Sequence, residues 1–264
     1  MEHIQVALEK ARQRQDQTLL AFGHPREPAV EVIWSKLAER APDPTALAES
    51  DRIVTATRSD PASAAFGMLR TRVLQIMRQN NWTSVAITSP TAGCGKTVVA
   101  LNLAFSLAHQ KDCRTLLLEL DLKRSRVNHL LGASNAPSVE RLLKGLAPAE
   151  GVFVRYAENL AIAANTRPVG LSSELLQSSR TGDVLKEMRR RLQPDVIVYD
   201  LPPMLCSDDV MAFLPNVDCA ILVAAAEATK LPEVDLCERD LSERTNLLGV
   251  VLNKCRYTQD EYGY

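Results

Sequence analysis

Short runs rich in Val, Ile and Leu alternate with longer amphipathic stretches from about residue 61 onwards. Nearly continuous apolar runs predict strands at 84–88, 115–119, 160–163, 196–200, 220–224 and 248–252. Apolar residues recurring at helical spacing predict helices at 62–79, 97–109, 138–144, 173–178, 182–192, 208–214 and 232–245. Strands that are apolar on both faces belong inside a sheet covered on both sides. Their alternation with helices predicts an α/β fold, a mostly parallel central sheet with helices on both faces. No internal repeat interrupts the pattern.

The ends of the chain read differently. Residues 2–20 place Ile4, Leu8 and Ala11 on one side of a short amphipathic helix, which can pack on its own domain or dock a partner. Residues 21–60 carry Pro28, Pro42 and Pro44, with one helix predicted near 30–40, and read as a partly flexible linker. The last ten residues, 255–264, lose apolar periodicity and hold Tyr257, Tyr262 and Tyr264. The predicted organisation is therefore an N-terminal helix and linker at 1–60, a nucleotide-binding domain at 61–254 and a polar tail at 255–264.

Composition changes this picture little. At 264 residues, with 46% hydrophobic and 24% charged residues, the chain fits one large domain and an appendage. A net charge of −1 gives no general reason to expect nucleic acid as a partner. No apolar run approaches a membrane span, and the N-terminus has no apolar leader core, which predicts a cytoplasmic location. The six cysteines form no C-x-x-C pair and no zinc-like spacing, so they read as reduced and mostly buried.

Chemistry enters at residues 89–97, Ser-Pro-Thr-Ala-Gly-Cys-Gly-Lys-Thr, set between a predicted strand and a predicted helix. This is the context of a phosphate-binding loop. Gly93 and Gly95 let the backbone turn its amides inward, and a positive helix end adds to the anion site. The amides from Gly93 through Cys94, Gly95, Lys96 and Thr97 to Val98 are the candidate phosphate cradle. Lys96 is placed to reach the β- and γ-phosphates, and the Thr97 hydroxyl to ligate Mg²⁺. Pro90 stands where the usual motif has its first glycine. Cys94 lies in this loop, where a helix N-terminus can lower a thiol pKa.

Two further strand ends carry acids. Glu119 and Asp121 close the 115–119 run and, by alternation, point to one side. Such carboxylates can hold Mg²⁺, orient water or take a hydroxyl proton; a salt bridge to Lys123 or Arg124 is the plainer alternative. Asp200 ends the run Val-Ile-Val-Tyr-Asp before Pro202 and Pro203, as does the acid that holds Mg²⁺ opposite a phosphate loop. Asn253 ends the final strand, where its amide can pair with a purine edge or simply form a turn. The run Arg189-Arg190-Arg191 reads as a solvated helix end.

Together these residues resemble the bacterial tyrosine kinases that regulate capsule and exopolysaccharide polymerisation and export. That family is a branch of the P-loop group that also holds division and partition ATPases. The resemblance covers about residues 51–264. It rests on Ser89–Thr97, on Glu119-Leu-Asp-Leu-Lys123 against the family's Asp-x-Asp-x-Arg, on residues 196–203, on Gly249-Val-Val-Leu-Asn253 and on the tyrosine-bearing tail. Thr91 stands where the division and partition ATPases carry an extra lysine, which favours the kinase branch.

The resemblance implies an ATP- and Mg²⁺-dependent tyrosine autokinase. It assigns phosphate binding to residues 93–98, Mg²⁺ to Thr97, Asp121 and Asp200, and catalysis to Lys96, Glu119, Asp121 and Asp200. Acceptors would be Tyr262, Tyr264 and Tyr257 on a neighbouring subunit. It also implies self-association and a membrane chain-length regulator that recruits the chain to the inner face of the membrane. The chain departs from the family pattern at Glu119 (usually Asp), at Lys123 (usually Arg) and in the helix 64–70, where a Glu-x-x-Arg-x-x-Arg ring motif keeps only Arg70. These departures admit two alternatives: an ATP-binding switch subunit of an export complex, and a positioning ATPase of the division or partition kind.

Overall fold

The computed structural model describes residues 27–50, 53–56, 62–133 and 136–255. The predicted N-terminal helix at 2–20 and the tail tyrosines lie outside these residues. The described strands are β1 (Ala38–Glu39), β2 (Ser84–Ser89), β3 (Thr115–Glu119), β4 (Val154–Ala157), β5 (Leu160–Ala163), β6 (Val196–Pro203), β7 (Cys219–Ala225) and β8 (Asn246–Asn253). They form one sheet in the order β1-β4-β5-β3-β6-β2-β7-β8. Every pairing is parallel except β4 with β5, which is antiparallel.

Strand alternation builds two cores, one on each face. Along β3, Leu116 and Leu118 join one core while Leu117 joins the other. Along β6, Ile197, Tyr199 and Leu201 join the first, and Val196 and Val198 the second. The helix Ser179–Leu192 covers the first face with buried Leu185, Met188 and Leu192, an i, i+3, i+7 stripe. Its cap is a side-chain bond in which the Ser178 Oγ accepts from the Thr181 N–H. The helix Lys96–Ala108 covers the second face and is buried from Val99 to Leu107. An apolar helix with so little polar surface belongs between a sheet and other helices, and Ala62–Asn80 packs outside it through Val73, Leu74 and Met77.

Part of the stretch read as a linker is built into this body. The helix Pro28–Ser35 buries Val30 and Trp34 in the first core. The Trp34 indole N–H donates to the Leu192 carbonyl at 2.8 Å. The Arg114 guanidinium lies 4.8 Å from that ring's centre and pairs with Glu31. The chain then leaves the predicted helix early and adds β1 to the sheet edge beside β4. Other predicted elements stand within a few residues of their expected bounds. β4 and the short helices Pro44–Ser50 and Val127–Leu130 were not foreseen.

Of the cysteines, Cys94, Cys113, Cys219 and Cys237 are buried thiols, while Cys206 and Cys255 are exposed thiols. Burial pushes Cys219 up to about 12 and Cys237 up to about 11.

Candidate functional site

Parallel strands deliver their C-terminal ends to one rim of the sheet, where ligands of open α/β folds collect. Strand β2 runs between β6 and β7 and ends in the loop 89–95. Gly93 and Gly95 take φ of 87° and 92°, a left-handed conformation that disfavours a side chain. Gly95 is needed for space as well. A Cβ there would stand 2.2 Å from the Asn253 Nδ2. The loop thus enters the helix Lys96–Ala108 with its amides free of side-chain cover.

Lys96 turns inward from the first helical position. Its Nζ lies 2.9 Å from the Asp121 Oδ2 and 3.5 Å from the Asp200 Oδ1, and donates to the Thr97 hydroxyl at 3.3 Å. Burial works against its charge, but Asp200 and Asp121 outweigh this and raise its pKa. Asp200 is fully buried. Burial raises its pKa, opposed by Lys96 and by a hydrogen bond with Thr97. The other Asp200 oxygen, Oδ2, is buried with no hydrogen-bond partner among the described residues. An orphaned buried carboxylate oxygen beside a hydroxyl fits an Mg²⁺ or one of its waters. Among the described residues no group of three or more His, Cys, Asp or Glu could hold a metal alone. That suits Mg²⁺, which shares its ligands with substrate phosphates and water.

The alternation argument about Glu119 and Asp121 holds for direction. Leu118, Leu120 and Leu122 all join the first core, which sends Glu119 and Asp121 to the opposite face. Glu119 also pairs with Asp200 in the register of β3 and β6. Yet the two acids are engaged differently. Both Glu119 oxygens are taken by backbone: Oε1 accepts from the Arg126 and Val127 N–H groups, and Oε2 from the Asn165 N–H at 2.9 Å. Burial lifts its carboxyl to about 7, although these three donors favour the charged form. Asp121 accepts from the Arg124 N–H at 3.1 Å and keeps its other oxygen on Lys96.

A cleft of about 470 Å³ opens over the loop, lined by Gly93, Gly95, Lys96, Thr97, Val98 and Asp121. Asn253 lines it too, but its amide donates to the Cys94 carbonyl at 2.9 Å. Asp200 lies beneath the floor and Glu119 is outside the lining. The Cys94 thiol contacts the Thr91 carbonyl at 3.2 Å and the Thr229 hydroxyl at 3.5 Å. Burial raises its pKa, but the Thr229 and Thr91 hydrogen bonds outweigh it and leave the thiol lowered. Lys123, the alternative salt-bridge partner for Glu119 and Asp121, pairs instead with the buried Asp209 at 3.3 Å. Arg124, Arg126 and Lys254 also line the cleft. Sequence reading did not count Arg126 as a site residue, although the basic run 123–126 directly after an acidic strand end was the available signal.

The motif helix Ala62–Asn80 turns its surviving Arg70 onto the neighbouring helix, where Nη1 donates to the Ser106 carbonyl at 3.0 Å. Among the described residues no helix is long and apolar enough to cross a membrane.

Comparison with known proteins agrees with this geometry. The CobQ/CobB/MinD/ParA nucleotide binding domain family matches residues 85–261. The sequence is 28% identical over 225 residues to the tyrosine-protein kinase wzc of Salmonella typhi, covering 82% of this chain and 30% of that protein. The chain thus spans under a third of that relative's length. The kinase domain of the Escherichia coli tyrosine kinase ETK superposes with a TM-score of 0.70 at 27% identity, covering 80% of this chain and 84% of that one. The VpsO kinase domain superposes with a TM-score of 0.65 at 30% identity, covering 74% of this chain and 96% of that one.

Proposed function

The chain belongs to the CobQ/CobB/MinD/ParA nucleotide-binding family, in its branch of bacterial tyrosine-kinase domains, and from that premise we propose that it transfers a phosphoryl group from ATP to tyrosine. The observation that carries the reading is Lys96, buried between Asp121 and Asp200 at the floor of an open cleft. A lysine so paired is held charged, and a ligand's phosphates can compete with the two carboxylates for it.

In the proposed reaction the amides of residues 93–98 and Lys96 hold the phosphates. Thr97 and Asp200 would hold Mg²⁺, directly or through water, and Asp121 would face it only through a water, which leaves its carboxylate for the substrate. Bound Mg²⁺ supplies charge neutralisation at the phosphates. Once Lys96 moves to the phosphates, Asp121 is freed to accept the proton of the incoming tyrosine hydroxyl. Positioning and charge stabilisation do the rest. Asn253, whose Nδ2 is held by the loop, is the proposed contact to the purine edge of the nucleotide. The acceptors are Tyr262, Tyr264 and Tyr257. A membrane chain-length regulator recruits the chain to the inner face of the membrane, and self-association presents one chain's tail to another's cleft.

Purified chain given ATP and Mg²⁺, with the cytoplasmic segment of such a partner, is expected to gain phosphotyrosine. The combined change Tyr262→Phe and Tyr264→Phe is expected to reduce the signal severalfold; undiminished labelling would sink the acceptor assignment. One observation favours a second reading. Glu119 has both oxygens occupied by backbone, which takes one acid away from the metal side. A nucleotide-binding switch with weak transfer follows from that, and ATP binding without phosphotyrosine under any partner condition would select it.

A further inference from the structure

The cleft has a cationic rim beside the phosphate loop. Arg124, Arg126 and Lys254 all line it and are all exposed. None of the three has a carboxylate partner among the described residues. Several other surface cations do find one: Arg155 pairs with Glu39, Arg167 and Lys144 with Glu140, Arg190 with Glu187 and Arg191 with Glu150. The one carboxylate in the lining, Asp121, is engaged by Lys96 and by the Arg124 backbone. The rim is also held in place. The Arg124 and Arg126 backbones donate to Asp121 and Glu119, so the stretch that presents both guanidinium groups hangs from two strand-end acids. Lys254 follows β8 with φ of 61°, a left-handed turn directly after the strand.

We infer that this rim reads acidic residues next to the acceptor tyrosine, and so selects acidic tyrosine peptides. The phosphates of a nucleotide already have the loop amides and Lys96, which leaves three unpaired cations facing whatever enters above them. The sequence itself supplies a segment of that chemistry, Gln259-Asp260-Glu261-Tyr262, with two carboxylates directly before a candidate acceptor. Arg124 and Arg126, two planar forks close together, suit carboxylates in a way that single ammonium groups do not. Arg124, Arg126 and Lys254 are specificity-determining residues here and touch no reacting atom. The inference rests on the kinase reading for its purpose, and on charge alone for its binding.

The test therefore has one arm that needs no phosphoryl transfer. A fluorescent peptide of residues 255–264 is titrated with the full chain in ADP and Mg²⁺, followed by anisotropy. A second peptide carries Asp260→Asn and Glu261→Gln. The acidic peptide is expected to bind at least about fivefold tighter, an advantage that added salt removes. Arg124→Ala and Arg126→Ala are each expected to erase severalfold of that preference while the nucleotide Kd stays within about twofold. The charge swap Arg126→Glu, assayed with Glu261→Lys in the peptide, is expected to restore part of it. Equal binding of both peptides would overturn the inference, as would a nucleotide Kd that falls away in step with peptide binding. A kinase arm then reads KM for the two peptides. Absence of transfer with the binding preference intact would remove the kinase reading and leave the rim standing.

Discussion

Two carboxylates two residues apart, Asp121 and Glu119, leave the same strand toward the same face and meet opposite fates. Asp121 is bound by a lysine side chain, which can swing away when phosphates arrive. Glu119 is bound by three backbone N–H groups, which cannot. One acid is therefore available to chemistry and the other to architecture. The extra methylene of Glu over the usual Asp has a physical reading here. It carries the carboxylate to the start of the helix Val127–Leu130 and to Asn165, joining β3 to the exits of two neighbouring segments.

The comparison can be broken at its strongest point first. Lys96→Ala is expected to abolish phosphotyrosine and to weaken nucleotide binding by at least about a hundredfold, because two buried carboxylates lose their cation. Isothermal titration with ATP checks it, and Lys96→Met separates charge from packing. Asp200→Asn keeps the shape and removes the charge on the metal side. It is expected to slow transfer about a hundredfold with a smaller change in melting temperature, read by phosphotyrosine rate and calorimetry.

Glu119 should answer the other way round. Glu119→Ala strands three buried backbone donors and is expected to cost about 2–4 kcal/mol of stability in urea unfolding. Glu119→Gln keeps acceptor capacity at one oxygen, and should retain most activity in the fraction that folds. If it slows transfer as much as Asp200→Asn does, the two acids are not distinguished in the way drawn here. Asn253→Ala removes one hydrogen bond to the loop, and should raise the nucleotide Kd about fivefold through a net loss near 1 kcal/mol. The smallest signal is chemical. Alkylation of the folded protein near pH 8 should modify Cys206 and Cys255 first, with Cys219 and Cys237 protected by burial and raised pKa. Mass spectrometry of peptides gives the order.

The central sheet was legible because its strands are apolar on both faces and its helices carry stripes of period 3.6. The loop, Asp121 and Asp200 were legible because each sits at a strand end, a position that spacing reveals. The partners of Glu119 were not, since they are main-chain amides of Arg126, Val127 and Asn165, and every residue offers an amide. β1 and β4 escaped for a related reason. They span two and four residues, exposed in β1 and partly buried in β4, and exist through pairing across the sheet rather than through any local preference. A helix was expected near 30–40, but nothing in that run announced that the Trp34 indole would reach Leu192.

The bond from Asn253 to the Cys94 carbonyl, with Gly95 packed beneath it, ties the last strand of the sheet to the phosphate loop. The Asn253 carbonyl also accepts from the Ala226 N–H at 2.8 Å, so one residue joins the end of β8 both to the exit of β7 and to the loop. A pull applied at the end of β8 is expected to be felt at the phosphate loop, and optical-trap measurements of nucleotide off-rate against force applied there would read it.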